Sequence, residues 1–349
     1  VTWTKFTLTL AVLAACEHTG PFRPEEGGAG GPLAPGQPAQ ITFSPGQDLI
    51  PEWLPDGSAF VYTAERRDRA DRDRCFAFIP GDPGGGTISR YACGTVAADD
   101  SLNVYDEAAI LGDSIAYVRA STERFLPGLG PDRQELVIGP LANPTAARVV
   151  QRIPFTTSWG ETYDAISHLA WLDAGRLAFI GEHVTYPRGC SSCVPDTVRT
   201  GVEITFADVT GAVAYTQMTD GNSASSLAAA ANGDTVYFTR NGETHVFRRA
   251  LSAGLTDTLI TFLAGVARDV SVNSGGGTLA AIVGGSPGGP AQSDRGGLLY
   301  IARTGAIINQ IGNPSWLFRR PALSPDGSRL VVSAWNGAPN ADLWLFQLP

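Results

Sequence analysis

The 349-residue chain holds one methionine and four histidines, and only 17% of its residues are charged. Basic residues are the minority, 25 Lys and Arg against 34 Asp and Glu, so the formal net charge is −9. A partner bound through neutralised phosphates needs a basic face, which argues against nucleic acid. Long apolar runs are also missing. The apolar stretch at residues 6–13 is far shorter than the about 20 residues that span a bilayer. What the chain has in excess is glycine (41) and proline (24), set among apolar runs that bring the hydrophobic share to 43%. That mixture indicates short strands joined by many turns, an all-β chain.

Lys5, the apolar run and the small residues after it suit a secretory signal. Leu13-Ala14-Ala15-Cys16 resembles the lipobox of bacterial lipoproteins, in which the cysteine is acylated and becomes the mature N-terminus. The first residue is Val rather than Met, and the Leu-Ala-Ala-Cys signal does not depend on where translation starts. Residues 17–37 are rich in Gly and Pro and nearly devoid of apolar side chains, so they read as a flexible tether. Residues 1–16 are then a signal peptide with its lipobox, and residues 38–349 the folded domain.

With Cys16 assigned to lipid, four cysteines remain. Cys75 and Cys93 flank two apolar segments separated by a Pro- and Gly-rich turn, and a hairpin there sets them opposite one another as a disulfide. Cys190 and Cys193 share a loop. They suit a small-loop disulfide better than a redox pair or half a metal site, because no second Cys pair and no strand–helix context accompany them.

Internal repetition organises the rest. Pro325-Asp326-Gly327 closes a tight turn between two apolar segments, and Pro55-Asp56-Gly57 does the same near the other end. Weaker copies align on Gly112, Gly175, Gly233 and Gly276. Successive turn glycines are 55, 63, 58, 43 and 51 residues apart, each interval holding further strand candidates. Units of this size with four strands each point to propeller blades. The sixth unit ends one strand short, and residues 39–43, just before the first unit, can supply it. The expectation is a six-bladed β-propeller of four-stranded antiparallel blades, closed by an N-terminal strand.

The Ser324-Pro325-Asp326-Gly327 turn, its variant Leu54-Pro55-Asp56-Gly57 and the strand ending in Gln40-Ile41-Thr42 resemble the WD40-like repeats of TolB-type β-propellers. The resemblance covers roughly residues 38–349 and implies the fold. The α/β domain of TolB has no counterpart here, so a role in the Tol system is not implied.

Motifs for chemistry are sparse. Gly284-Gly285-Ser286-Pro287-Gly288 matches a nucleophile elbow, but Pro287 has no N–H to give an oxyanion and Gly289-Pro290 cannot open a helix. His183 with Cys190 and Cys193 could hold a metal, though a disulfide beside an exposed histidine is simpler. His168 and His245 fall within strand candidates. Glu52 and Glu107 stand five residues before Gly57 and Gly112, a faint echo of the acidic channel ligands of lactonase-like propellers. Long insertions gather on the rim opposite the tight turns and carry Trp159, Tyr163, His183 and Tyr186, which marks that rim as the binding surface.

These features read as a binding protein rather than an enzyme. It would be a lipid-anchored module of the bacterial cell envelope, facing the periplasm and holding a protein or glycan, with no cofactor or metal implied. The alternative is a metal-dependent hydrolase working at the channel mouth. Replacing Cys16 by Ala is expected to move the protein from the membrane fraction to the soluble one; metabolic fatty-acid labelling that leaves the parent unlabelled would refute the anchor.

Overall fold

The computed structural model describes residues 38–42, 46–65, 74–81, 88–93, 101–123, 133–185, 196–206, 213–219, 224–263, 265–285, 296–312 and 316–349. The expected signal peptide, the tether, Cys16, Cys190, Cys193 and Tyr186 lie outside them.

The chain opens with β1 (Pro38–Gln40). There follow β2 (Asp48–Trp53), β3 (Ala59–Glu65), β4 (Arg74–Pro80), β5 (Arg90–Ala92), β6 (Ser101–Leu111), β7 (Ser114–Glu123), β8 (Arg133–Pro140) and β9 (Arg148–Ile153). These eight form a single sheet, ordered β2-β3-β4-β6-β7-β8-β9 with β5 on β4. A two-stranded ribbon, β10 (Phe155–Thr156) with β11 (Thr162–Tyr163), precedes three separate four-stranded sheets in chain order. The first holds β12 (Ala165–Asp173), β13 (Arg176–Thr185), β14 (Asp196–Phe206) and β15 (Val213–Gln217). The second holds β16 (Ala224–Ala229), β17 (Thr235–Arg240), β18 (His245–Ala250) and β19 (Leu255–Thr261). The third holds β20 (Val266–Val272), β21 (Thr278–Gly284), β22 (Leu298–Arg303) and β23 (Ala306–Gly312). A fourth is ordered β1-β26-β25-β24, from β24 (Leu317–Leu323), β25 (Arg329–Trp335) and β26 (Asp342–Gln347).

The expected six separate blades are therefore corrected. Among the described residues, four four-stranded blades stand as discrete sheets, strands β2 to β9 run on as one larger sheet, and no sheet closes on itself by hydrogen bonds. The cause is local. β5 has only three residues and cannot finish a blade, and β4 meets β6 directly in a parallel pairing at Arg74 and Val104. Next to that short strand, Cys75 and Cys93 are bonded one step beyond the Phe76–Ala92 pair. Two insertions expected as loops are strand at both ends: β13 and β14 stay paired out to Thr185 and Asp196, and β7 and β8 out to Ser121 and Arg133.

Middle strands such as β3 and β21 are buried on both faces, because each sheet packs against a sheet on either side. Outer strands such as β23 keep most residues exposed. The sheets are also stapled at the tight turns. Arg176 donates to the Gly233 carbonyl (2.8 Å), Tyr237 to Gly276 (3.2 Å), Asn273 to Pro325 (3.4 Å) and Arg329 to Gly57 (2.9 Å). Gly57, Gly233, Gly276 and Gly327 all lie near φ +70°, the left-handed region that these turns require.

β1 pairs antiparallel with β26, Pro38 to Gln40 against Phe346 to Trp344. Beyond the ladder, Ile41 N–H donates to Leu343 O (2.9 Å) and Leu343 N–H to the Thr42 hydroxyl (2.8 Å). The expected strand at 39–43 is thus shifted, with residue 43 outside the described residues. A chain beginning at residue 44 loses these bonds, each worth about 0.5–1.5 kcal/mol net, and bares the edge of β26. It is expected to melt several degrees lower and to self-associate, as thermal melts and light scattering beside the parent would register. An unchanged, monomeric melt would refute the role of β1.

Candidate active site

Six strands line the axis: β2, β6, β12, β16, β20 and β24. They touch one another in a closed cycle. Each breaks register with its partner: β2, β6, β12 and β24 at equivalent positions, between Leu49 and Glu52, Asp106 and Ala109, Ser167 and Ala170, and Arg319 and Ala322, and β16 and β20 a step away, between Ala224 and Ser226 and between Ala267 and Asp269. In four of them the bulged residue takes a left-handed backbone: Ile50 (φ 52°), Glu107 (54°), His168 (54°) and Arg320 (52°). Such a conformation is costly for these residues, on the order of 1–3 kcal/mol each. A bulge re-aims a side chain, and here it gathers Glu107, His168 and Arg320 beside Asp269 at the axis.

The Arg320 guanidinium donates to Glu107 Oε1 (2.5 Å) from a position 213 residues away in sequence. Glu107 Oε2 accepts the backbone N–H of His168 (2.6 Å). Asp269 Oδ2 accepts the backbone N–H of Arg320 (2.8 Å), and its Oδ1 accepts the Ser226 hydroxyl (2.7 Å). His168 Nε2 stands 3.5 Å from Asp269 Oδ1, while Nδ1 lies 3.1 Å from the Ser167 hydroxyl. All four ionisable side chains are buried. Burial raises the Asp269 carboxyl, but His168, Arg320 and Ser226 outweigh it and hold it at about 2. Burial also raises Glu107 above the ordinary carboxylate range, against the pull of Arg320 and His168.

These residues line a cavity of about 220 Å³ that reaches the tight-turn face at Pro55, Ser274 and Pro325. Glu52 lines the same cavity, partly buried, with its pKa pushed up to about 8 by burial alone. Trp53 and Trp171 flank it, each fixed by an indole N–H bond to a neighbouring sheet, at Ala322 O (2.9 Å) and Ala109 O (3.1 Å).

The sequence-derived binding residues do not share this site. Tyr163 is fully buried against Gly181, and Trp159 packs on the same core cluster. His183 is part exposed and pairs with Asp164 (2.7 Å). The cavity thus lies toward the tight-turn face, opposite the rim expected to bind. The equivalence of Glu52 and Glu107 is also corrected. The β6–β7 hairpin is two residues shorter than β2–β3, so Glu107 matches Ile50 and Glu52 matches Ala109. Asp269 and Arg320 carried no local signal; the repeated bulge register that exposes them exists only in three dimensions.

No family model and no curated protein matches the chain. Among solved structures it is similar to a gluconolactonase from Xanthomonas campestris, with 13% identity, 90% of this chain and 89% of that chain covered, and a TM-score of 0.54. It is similar to U3-55K at 10% identity, with coverages of 90% and 100% and a TM-score of 0.50. An oligogalacturonate lyase follows at 12% identity, coverages of 89% and 80% and a TM-score of 0.49. These likenesses show a β-propeller fold, and the kinship read from the turns is reduced to that fold. The expectation of a binding module rather than an enzyme is corrected, since a gluconolactonase stands among the similar structures and the axis holds a buried Glu–Arg–Asp–His cluster. The metal-dependent alternative finds no ligand set: among the described residues no three His, Cys, Asp or Glu are grouped for a metal, and the Glu107 and Asp269 oxygens are taken by hydrogen bonds.

A carboxyl whose pKa is higher folded than unfolded binds more protons in the native state, so its stabilising effect fades as pH rises between the two values. For Glu52 that window runs from the ordinary 4.5 to about 8. Glu52→Gln is expected to melt with the parent at pH 5 and several degrees above it at pH 9, a difference that paired thermal melts across this range would resolve. Parallel curves would refute the raised pKa.

Proposed function

We propose that this chain is an enzyme whose axial cavity performs acid–base chemistry on a small, uncharged ester or lactone, with Glu52 as proton donor. One arrangement carries the reading: the Glu52 carboxyl, pushed up to about 8 by burial, lines a cavity beside a buried Glu–Arg–Asp–His cluster. A general acid works best with a pKa near the working pH, and about 8 satisfies that. Arg320 presents positive character where a carbonyl oxygen would gain charge, while ionised Asp269 offsets it so that no net anion is demanded. The cavity, about 220 Å³, is smaller than the roughly 300–1,000 Å³ of sites for drug-sized ligands, so the substrate or its reacting end is small.

The fold shared with a gluconolactonase places sugar lactones first among compounds to try. The disulfide at Cys75–Cys93 and the Leu-Ala-Ala-Cys signal support placing the reaction outside the reducing cytosol, in the cell envelope.

The test is proton release from a panel of sugar lactones and simple esters, each with and without added divalent cations. Turnover is expected to fall about tenfold per pH unit above about 8 as Glu52 loses its proton, and Glu52→Gln to lower kcat by about 10²–10⁴-fold. No turnover across the panel, or a Glu52→Gln variant as active as the parent, would overturn it.

A further inference from the structure

We infer that His168 Nε2 is the proton-accepting base of the axial cavity and that a side-chain relay on its own sheet fixes it in that form. The inference rests on the acid–base reading of the cavity and adds the group that takes the proton.

The relay begins at the long-strand end of β13 and β14. Glu182 is ion-paired with Arg199 (2.8 Å), so its carboxylate can only accept hydrogen bonds. Ser167 donates its one hydroxyl hydrogen to Glu182 Oε1 (2.9 Å). The Ser167 oxygen then has lone pairs alone to offer His168 Nδ1 at 3.1 Å, and the hydrogen in that contact must be the ring's. A neutral imidazole carries one hydrogen. With Nδ1 holding it, Nε2 keeps its lone pair.

That nitrogen is where a base is useful. The His168 side chain is 3% exposed, and Nε2 makes no hydrogen bond within the protein while His168 lines the cavity. Asp269 Oδ1, at 3.5 Å, stands ready to stabilise the imidazolium once Nε2 is protonated. The other charged groups facing the ring are Glu107, which accepts the His168 backbone N–H, and Arg320, which spans Glu107 and Asp269. Glu52 shares the cavity.

With an ester or lactone bound, the step closes without any further reactant. Nε2 takes a proton from water as the water oxygen bonds to the acyl carbon. The acyl C–O bond breaks, and the departing oxygen receives the Glu52 proton. The imidazolium then returns its proton to Glu52 through solvent, leaving acid, alcohol and the original enzyme.

The four histidines allow ring nitrogens to be observed directly after ¹⁵N-histidine labelling of the full chain, with His168→Gln identifying the signals of interest. The expected spectrum at neutral pH shows His168 protonated at Nδ1 and bare at Nε2. Ser167→Ala and Glu182→Gln, both outside the cavity lining, are expected to shift the hydrogen toward Nε2 and to lower kcat about 10–100-fold with little change in KM. A parent ring with its hydrogen on Nε2, or doubly protonated wherever the protein is folded, overturns the inference even if Glu52→Gln abolishes turnover. A bare Nε2 with no turnover of any compound would instead sink the enzymatic reading and leave the ring assignment standing.

Discussion

The axis of this molecule is held by carboxylates that accept backbone N–H groups from neighbouring strands. A bulge in an inner strand takes a peptide N–H out of its ladder, and a buried N–H without a partner is costly. Glu107 on β6 meets the N–H of His168 on β12, and Asp269 on β20 meets that of Arg320 on β24. The Ser226 hydroxyl on β16 accepts the N–H of Val270 while donating to Asp269. Five inner strands that share no ladder are thereby tied through side chains. Arg320 then closes the chain of contacts onto Glu107. Buried ion pairs of this kind add little net stability, because desolvation offsets their attraction, but removing one partner strands the other. At β12 and β24 the bulge and the carboxylate that meets its N–H are therefore one feature.

Around that axis the four discrete blades and the larger sheet need only pack. Their middle strands are buried on both faces, and the stapling bonds at the tight turns set each blade against the next. This division leaves the cavity between two fixed layers, the bulge ring at its inner end and the turn residues at its mouth. Trp53 shows the coupling. Its indole N–H bonds the Ala322 carbonyl, and the Arg329 guanidinium, itself bonded to the Gly57 turn, lies 4.7 Å over the ring. One wall of the cavity is thus also a joint between sheets.

What could be read from the chain was whatever is encoded within a few residues. Pro-Asp-Gly turns require their own chemistry, so their spacing marked the repeats, and Cys75 and Cys93 were placed by a hairpin that forms locally. The blade count failed between β4 and β6, which join in one sheet because β5 is too short to separate them. Gly175 was aligned with the other turn glycines, yet it is not left-handed; the Asp173 carboxylate shapes that turn by accepting its N–H. The site was hidden for the same reason at larger scale. Glu107 and Arg320 are 213 residues apart, and aligning units by their glycines put Glu52 level with Glu107 because hairpin length varies. The register of a bulge, not the distance to a turn, decides which side chain faces the axis.

Two carboxyls on that axis show how one cavity can keep a charge and a proton apart. Asp269 and Glu52 are both drawn out of water, which by itself raises a carboxyl. Asp269 is surrounded by a hydroxyl, an imidazole and a guanidinium, and it stays ionised at about 2. Glu52 projects from the position that the other inner strands of its bulge class fill with Ala109, Ala170 and Ala322. With burial acting on it alone, it holds its proton to about 8. Carboxyls separated in this way can serve as fixed charge and as acid at the same pH. The difference is set by which strand each stands on: Asp269 sits where the bulges converge their donors, and Glu52 one pleat nearer the mouth, where small alanines leave room and offer nothing to bond. A cavity lined only for packing would have needed neither a bulge in every inner strand nor a glutamate among alanines.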